Sequence, residues 1–284
     1  MKLEQFIRKN QQLALSLGKE ESAVVIYLMH ILNFSSSELY LHMSDKVSKE
    51  VEEKFENEFR LYLYENKPIQ YIVGYQTFYG YDFLVDERVL IPRFETEELV
   101  ENILSLYDEY FDGQKVDVCD IGTGSGAIGI TLAKEETNMN VTITDISFDA
   151  LEVAKENNNR LSANVKILQG DMVKPLYGMK FDIIVSNPPY IPDTEEVQSL
   201  VVDNEPNIAL FGGNDGLKFY RVIIEDAKKI AKDKFIMGFE HGYDKNEAIE
   251  ALILKEFPHA LVIHKKDMQG KNRMTFAIVG EFNE

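Results

Sequence analysis

Asn187-Pro188-Pro189-Tyr190 follows the apolar run Phe181-Asp182-Ile183-Ile184-Val185-Ser186, which reads as a buried parallel strand. A polar side chain, two prolines and an aromatic at the carboxyl end of such a strand make a stiff pocket, in the place where open α/β sheets bind ligands. The Asn187 side-chain oxygen and the Pro188 carbonyl both accept hydrogen bonds. Two acceptors facing one way suit a planar –NH2 group, on whose plane the Tyr190 ring can stack. Such a site grips an amide or an exocyclic amine. The competing reading is a turn that merely ends the strand, since Asn-Pro is common turn chemistry. The residues upstream decide between the two.

Those residues are Asp120-Ile121-Gly122-Thr123-Gly124-Ser125-Gly126-Ala127-Ile128-Gly129, placed after an earlier strand. Glycines there allow a tight strand-to-helix turn and let a ligand approach the backbone. About 20 residues further on, Asp145 ends the second strand, where a carboxylate accepts bonds from both hydroxyls of a ribose. Ile146 adjoins it. Asp171 follows the third strand with Met172 beside it, the place of an adenine amine and ring face. The glycine spacing alone does not choose the cofactor, because it also fits a dinucleotide fingerprint. Two features choose S-adenosylmethionine. Asp120 would repel a pyrophosphate but suits a cationic methionyl end, and the fourth strand ends in the amine-gripping tetrapeptide.

Elements that position these residues are legible in the periodicity. Residues 1–67 read as a helical docking or recognition module, with apolar residues at helical spacing and N-caps expected at Ser37 and Ser48. Residues 68–88, rich in Tyr, Phe, Val and Gly, read as a β-hairpin linker, the hairpin running from Ile69 to Val85. Residues 89–284 read as the methyltransferase domain, beginning with a helix that Pro92 starts and that runs to about Tyr110. Strands are expected at 116–120, 141–145, 165–169, 182–186 and 235–240, alternating with helices such as Ala127–Glu135 and Phe148–Arg160. Ala260–Lys266 and Met274–Glu281 are separated by too few residues for a crossover helix, so they form an antiparallel hairpin. A seven-stranded α/β sheet that ends this way is the class I S-adenosylmethionine-dependent methyltransferase fold; a dinucleotide dehydrogenase sheet stays parallel. A loop from Asp193 to Asn207 follows the tetrapeptide and is placed to close over the site.

A net charge of −18 with no basic run longer than Lys265-Lys266 argues against direct binding of duplex DNA. The single cysteine, Cys119, sits in an expected strand and reads as a small core residue, which suits a reducing cytoplasm. The first residues lack the apolar core of a signal peptide. The longest apolar stretch, Ala23 to Phe34, is too short to span a bilayer. No metal cluster is evident in the spacing, and His241 and His264 read as bystanders.

Four segments together resemble the protein-glutamine N-methyltransferases that modify peptide chain release factors. They are Ile91-Pro92-Arg93-x-Glu95-Thr96-Glu97, the 120–126 glycine loop, Asn187-Pro188-Pro189-Tyr190-Ile191-Pro192, and Glu205-Pro206-x-x-Ala209-Leu210-x-Gly212-Gly213-x-Asp215-Gly216-Leu217. The resemblance covers essentially the whole length, the helical N-terminus included. The glycine loop is shared by many methyltransferases, and the tetrapeptide by amino-methylating DNA and RNA enzymes; the other two segments are narrower. It implies methyl transfer to the glutamine of the Gly-Gly-Gln loop of class 1 release factors, which the N-terminal module docks. It further implies a cofactor site of Asp120, Gly122, Thr123, Gly124, Ser125, Gly126, Asp145, Ile146, Asp171, Met172 and Asn187. Asn187, Pro188, Pro189 and Tyr190 would hold and position the reacting amide, with Arg93 and Glu97 bordering the substrate. Met172 stands where relatives often carry an aromatic, and Phe94 where they carry proline. A nucleic-acid amino-methylase is the rival that shares the tetrapeptide, acting on a flipped base. A nicotinamide-dependent oxidoreductase or a non-catalytic nucleotide-binding protein shares only the fold.

Overall fold

Phe6, Tyr27, Phe55 and Phe59 come from three segments, two amphipathic and one apolar nearly all round, and burying their rings together helps those segments pack. The computed structural model describes residues 1–195 and 203–282. Residues 1–75 belong to one unit and form α1 (Leu3–Ser16), α2 (Ser22–Leu32), α3 (Ser36–Leu41), α4 (Lys49–Tyr64) and α5 (Ile69–Val73). The Phe6 and Phe55 rings meet edge-on at 5.0 Å and Phe55 stacks on Phe59 at 4.6 Å, geometries that add to plain area burial. Ser48 caps α4 by accepting from Val51 N–H. The cap expected at Ser37 lies instead at Ser35. From there Glu38 falls at the third helical position and its carboxylate accepts from Ser35 N–H at 2.8 Å, completing a reciprocal box.

The hairpin expected over residues 69–85 begins later. Ile69–Val73 is a turn of helix that buries Ile69, Tyr71 and Val73, bracketed by Pro68 before it and Gly74 in left-handed conformation after it. Proline before the first turn and glycine after the last punctuate a short helix more strongly than β-propensity opposes it. The hairpin is β1 (Tyr75–Phe78) and β2 (Tyr81–Leu84).

The second unit, described here over residues 76–195 and 205–282, carries α6 (Phe94–Phe111), β3 (Val116–Ile121), α7 (Ala127–Glu135), β4 (Met139–Asp145), α8 (Phe148–Leu161), β5 (Lys166–Gln169) and β6 (Phe181–Ser186). They are followed by α9 (Lys218–Ile230), β7 (Ala231–Glu240), α10 (Asn246–Glu256), β8 (Leu261–Lys266) and β9 (Asn272–Val279). The sheet order is β5-β4-β3-β6-β7-β9-β8, parallel except that β9 runs antiparallel to both its neighbours. This is the class I methyltransferase arrangement with its terminal antiparallel hairpin.

Strand residues alternate between two buried faces. Val118, Ile183, Val185 and Ile236 pack under α6 and α7, while Cys119, Ile121, Ile184 and Met237 pack under α9 and α10. Both faces are therefore dry, which explains the uninterrupted apolar runs. Burial raises the Cys119 thiol far above its ordinary range, so it is an inert core residue. Register then aligns the chemistry. β3 pairs with β6 as Asp120 with Val185, and Ser186 Oγ donates to the Ile121 carbonyl at 2.6 Å. The glycine loop and the tetrapeptide thus leave the sheet side by side, at the point where the strand order reverses. Residues 196–202 of the loop expected to cover the site lie outside the described residues.

Candidate active site

A cavity of about 490 Å³ opens over that point, within the second unit. Its wall includes Gly122, Thr123, Gly124 and Ser125, then Asp145 and Ile146, then Asp171 and Met172, and finally Asn187 and Pro189. Asp120, Gly126, Pro188 and Tyr190 do not line it. The volume lies within the range of small-molecule sites.

The loop is held by the strands it joins. Gly122 and Thr123 N–H both donate to the Thr144 carbonyl at 2.9 Å, and Gly170 N–H donates to the Asp145 carbonyl. Gly122, Gly124 and Gly126 all have positive φ. Asp145 accepts from Gly124 N–H through Oδ2 and from Ser147 N–H through Oδ1, each at 2.9 Å. Each carboxylate oxygen keeps a further lone pair, so the side chain can anchor the loop and still accept two hydroxyls. Asp120 lies beneath. Its Oδ2 accepts from Thr123 Oγ1 and Gly129 N–H, its Oδ1 is buried without a partner, and burial pushes its carboxyl up to about 7. It reaches the cavity only through Thr123. Met172 is buried with φ +48, and Asp171 is paired with Lys174 at 2.6 Å.

Behind the tetrapeptide lies a polar cluster that sequence reading missed. Glu240 ends β7 next to Asn187, since Ser186 pairs with Phe239 in the preceding register position. Thr96 Oγ1, from the first turn of α6, donates to Glu240 Oε2 at 2.6 Å, and Asn187 Nδ2 donates to Thr96 Oγ1 at 3.3 Å. Tyr220 O–H donates to the Glu240 main-chain carbonyl. Burial pushes the Glu240 carboxyl up to about 7, against the pull of the Thr96 bond, of Arg273 and of the Asn187 side chain. Burial, with Glu240 nearby, pushes the Tyr190 phenol up to about 12.

Arg93 borders the cavity, but its guanidinium is paired with the buried Glu205 carboxylate at 2.5 Å. The other Glu205 oxygen accepts from Ile91 N–H at 3.1 Å. The Ile-Pro-Arg and Glu-Pro segments therefore buttress one another across 112 residues of chain. Glu97 faces elsewhere: it accepts from Tyr79 N–H at 2.9 Å and tethers the β1–β2 hairpin. His241 is buried between the Gly242 carbonyl and Thr275 Oγ1, which also meets His264; neither histidine lines the cavity.

The glycines of the 205–217 segment have a packing reason. Gly212 N–H donates to the Ile191 carbonyl and Ile191 N–H to the Leu210 carbonyl. A Cβ on Gly212 would stand 2.5 Å from the Pro189 carbonyl oxygen, and one on Gly216 would stand 2.2 Å from that of Tyr190. Only bare backbone fits against the tetrapeptide there.

Residues 10–74 match the PrmC N-terminal domain family and residues 97–204 the methyltransferase small domain family. The release factor glutamine methyltransferase of Bacillus cereus is 44% identical over 264 residues, covering 92% of this chain and 93% of its own. That of Bacillus subtilis is 42% identical over 268 residues, covering 92% of each. The chain belongs to the release factor glutamine methyltransferases. Beyond the family, a methyltransferase from Pyrococcus furiosus shares the fold, with a TM-score of 0.52 and 18% identity over 80% of this chain and all of that one.

For a release factor glutamine methyltransferase, two buried carboxyls raised to about 7 carry a cost that depends on pH. Between about pH 4.5 and 7 the native state keeps a proton on Glu240 that the unfolded chain has already released; above about 7 both are ionised. Unfolding therefore releases protons, and stability falls as pH rises from about 4.5 to 7 and then levels. Glu240→Gln is expected to flatten its share of that slope, by up to about 3 kcal/mol across the window. Urea midpoints of the two proteins at pH 5 and pH 8 measure it; parallel changes would remove Glu240 from the account.

Proposed function

We propose that the protein transfers a methyl group from S-adenosylmethionine to the side-chain amide nitrogen of the glutamine in the Gly-Gly-Gln loop of class 1 peptide chain release factors. The observation that carries this reading is the tetrapeptide seated against the glycine loop, with Asn187 turned so that its amide nitrogen is bound inward to Thr96. That leaves Asn187 Oδ1, in the cavity wall, as one acceptor for a substrate –NH2, and the Pro188 carbonyl is the second acceptor of the proposal.

The residues present fit the cofactor. Asp145 has lone pairs for two ribose hydroxyls, Ile146 and Met172 offer apolar contact to a ring, and the loop backbone has room for a close approach. When bound, the cofactor supplies an electrophilic methyl on a sulfonium. The chain's own residues supply positioning. An amide lone pair is delocalised, and two acceptors on its N–H groups shift electron density onto nitrogen and fix its orientation. As the new N–C bond forms, the S–CH3 bond would break to leave a neutral sulfide, and the nitrogen would give up one of those protons to water. Asp145→Ala removes the ribose acceptors and two loop anchors. It is expected to weaken S-adenosylhomocysteine binding about 10- to 100-fold, the scale of one bond to a charged group, read by calorimetry.

The lining residues described fall between Arg88 and Val222, so residues 1–75 are proposed as the module that docks the release factor. No helix among the described residues is long and apolar enough to cross a membrane, and the cytoplasm is the proposed location. The test is label transfer from S-adenosylmethionine to a class 1 release factor, to that factor with its loop glutamine changed to alanine, and to duplex DNA. Label on the first alone supports the reading; label on DNA would replace it with the nucleic-acid amino-methylase.

A further inference from the structure

Nothing in the tetrapeptide itself dictates which end of the Asn187 amide faces the ligand. Oxygen and nitrogen are nearly isosteric, yet one presents an acceptor and the other two donors. The wrong choice would set NH2 against NH2. The choice is made two residues away. Glu240 is 2% exposed and Thr96 is 5% exposed, so water does not compete for their bonds. Once Glu240 has lost its proton, above about pH 7, its carboxylate oxygens only accept, so the Thr96 hydroxyl proton is committed to Glu240 Oε2 at 2.6 Å. The Thr96 oxygen can then only accept from its other neighbour, and that neighbour is Asn187 Nδ2 at 3.3 Å. A flipped Asn187 would bring its oxygen against the lone pairs of Thr96 and the Glu240 carboxylate.

We propose that Thr96 and Glu240 are positioning residues: their hydrogen-bond relay locks the Asn187 amide with its oxygen toward the substrate, so that the site selects an –NH2-bearing side chain over a carboxylate. The inference rests on the amide-acceptor reading above and adds to it the groups that set selectivity. Glu240 is placed for this by the sheet, at the end of β7 beside the end of β6, and Thr96 by the first turn of α6. Thr96 reaches the cavity wall and Glu240 stands behind it, and both act through the Asn187 amide.

Thr96→Val keeps the shape and removes the relay, Thr96→Ser restores the hydroxyl, and Glu240→Gln offers an NH2 that can reverse the relay. Thr96→Val is expected to lower kcat about 10- to 100-fold, the range for losing an outer partner of a functional group, with S-adenosylhomocysteine affinity unchanged. Thr96→Ser is expected to stay within about threefold of wild type by the same reasoning. The readout that a merely structural role would not move is preference. Binding of a release factor carrying glutamine at the acceptor position is compared with binding of one carrying glutamate there. Wild type and Thr96→Ser favour glutamine, and Thr96→Val and Glu240→Gln lose that preference. A second readout needs no substrate: hydrogen exchange of the Asn187 side-chain NH2 by NMR, slow in wild type and Thr96→Ser and at least about tenfold faster in Thr96→Val. If wild type transfers no methyl to glutamine, the functional reading fails and the exchange measurement still judges the relay. If wild type is active and Thr96→Val keeps its kcat, its preference and its slow exchange, the relay is wrong.

Discussion

Asn187→Ala is expected to lower kcat/KM for glutamine methylation about 100- to 1,000-fold while leaving cofactor affinity within a few-fold of wild type. The scale is that of deleting one preorganised hydrogen-bonding group from a transition-state site. The split follows from placement. Asn187 stands at the end of β6, whereas Asp145 and the Gly122–Ser125 backbone line another part of the cavity wall. Asn187→Asp is a sharper version, because it retains an acceptor oxygen. It loses the Nδ2 donor to Thr96 and sets a second carboxylate beside Glu240, so it is expected to fail as badly as alanine. Steady-state kinetics with calorimetry of S-adenosylhomocysteine separates the two effects. Near-normal turnover in Asn187→Asp would mean that one acceptor oxygen suffices and the inward bonds do not matter.

The second large effect is expected at Gly216, which is not in the cavity wall. Gly216 has φ +72, and an added Cβ would lie 2.2 Å from the Tyr190 carbonyl oxygen, a backbone atom with no rotamer to yield. Gly216→Ala therefore combines a left-handed backbone with a clash, and about 2–4 kcal/mol of stability is the expected loss. Activity is expected to fall further than stability alone explains, since relief comes by pushing the 210–217 segment away from Tyr190. Chemical denaturation and turnover of the remaining folded protein check both parts. A variant that unfolds and turns over like wild type would show that the segment does not press on the tetrapeptide.

Most of the sheet was legible because its strands are buried on both faces: runs such as Ile183-Ile184-Val185 have no helical period to mislead. The terminal hairpin was legible from chain length alone. Where reading stopped, local chemistry competed. Tyr71, Ile72 and Val73 favour strands by propensity, but Pro68 and Gly74 close a helical turn around them. Ser35 and Ser37 both precede Glu38, and only the spacing from Ser35 closes the capping box. At the site, the tetrapeptide, the glycine loop and Asp145 are each contiguous motifs, and they converge. The Thr96–Glu240 bond spans 144 residues and the Arg93–Glu205 pair 112. Nothing periodic links such partners; Glu240 reads simply as the end of a strand and Glu205 as the start of the Glu-Pro segment, and only tertiary folding brings them to Thr96 and Arg93.

The antiparallel strand also imposes a timetable. β9 lies between β7 and β8 although it is made after both, so β8 has no partner in the sheet until residues 272–279 have left the ribosome. Glu240 pairs with Met274 across β9, and Arg273, which steadies the Glu240 charge, comes from the same strand. The glycine loop, Asp145 and Asn187 are therefore all translated before Arg273 and Met274, the β9 residues that stand beside Glu240. The last strand to be translated thus supplies part of the polar support behind a cavity whose walls come from residues before it.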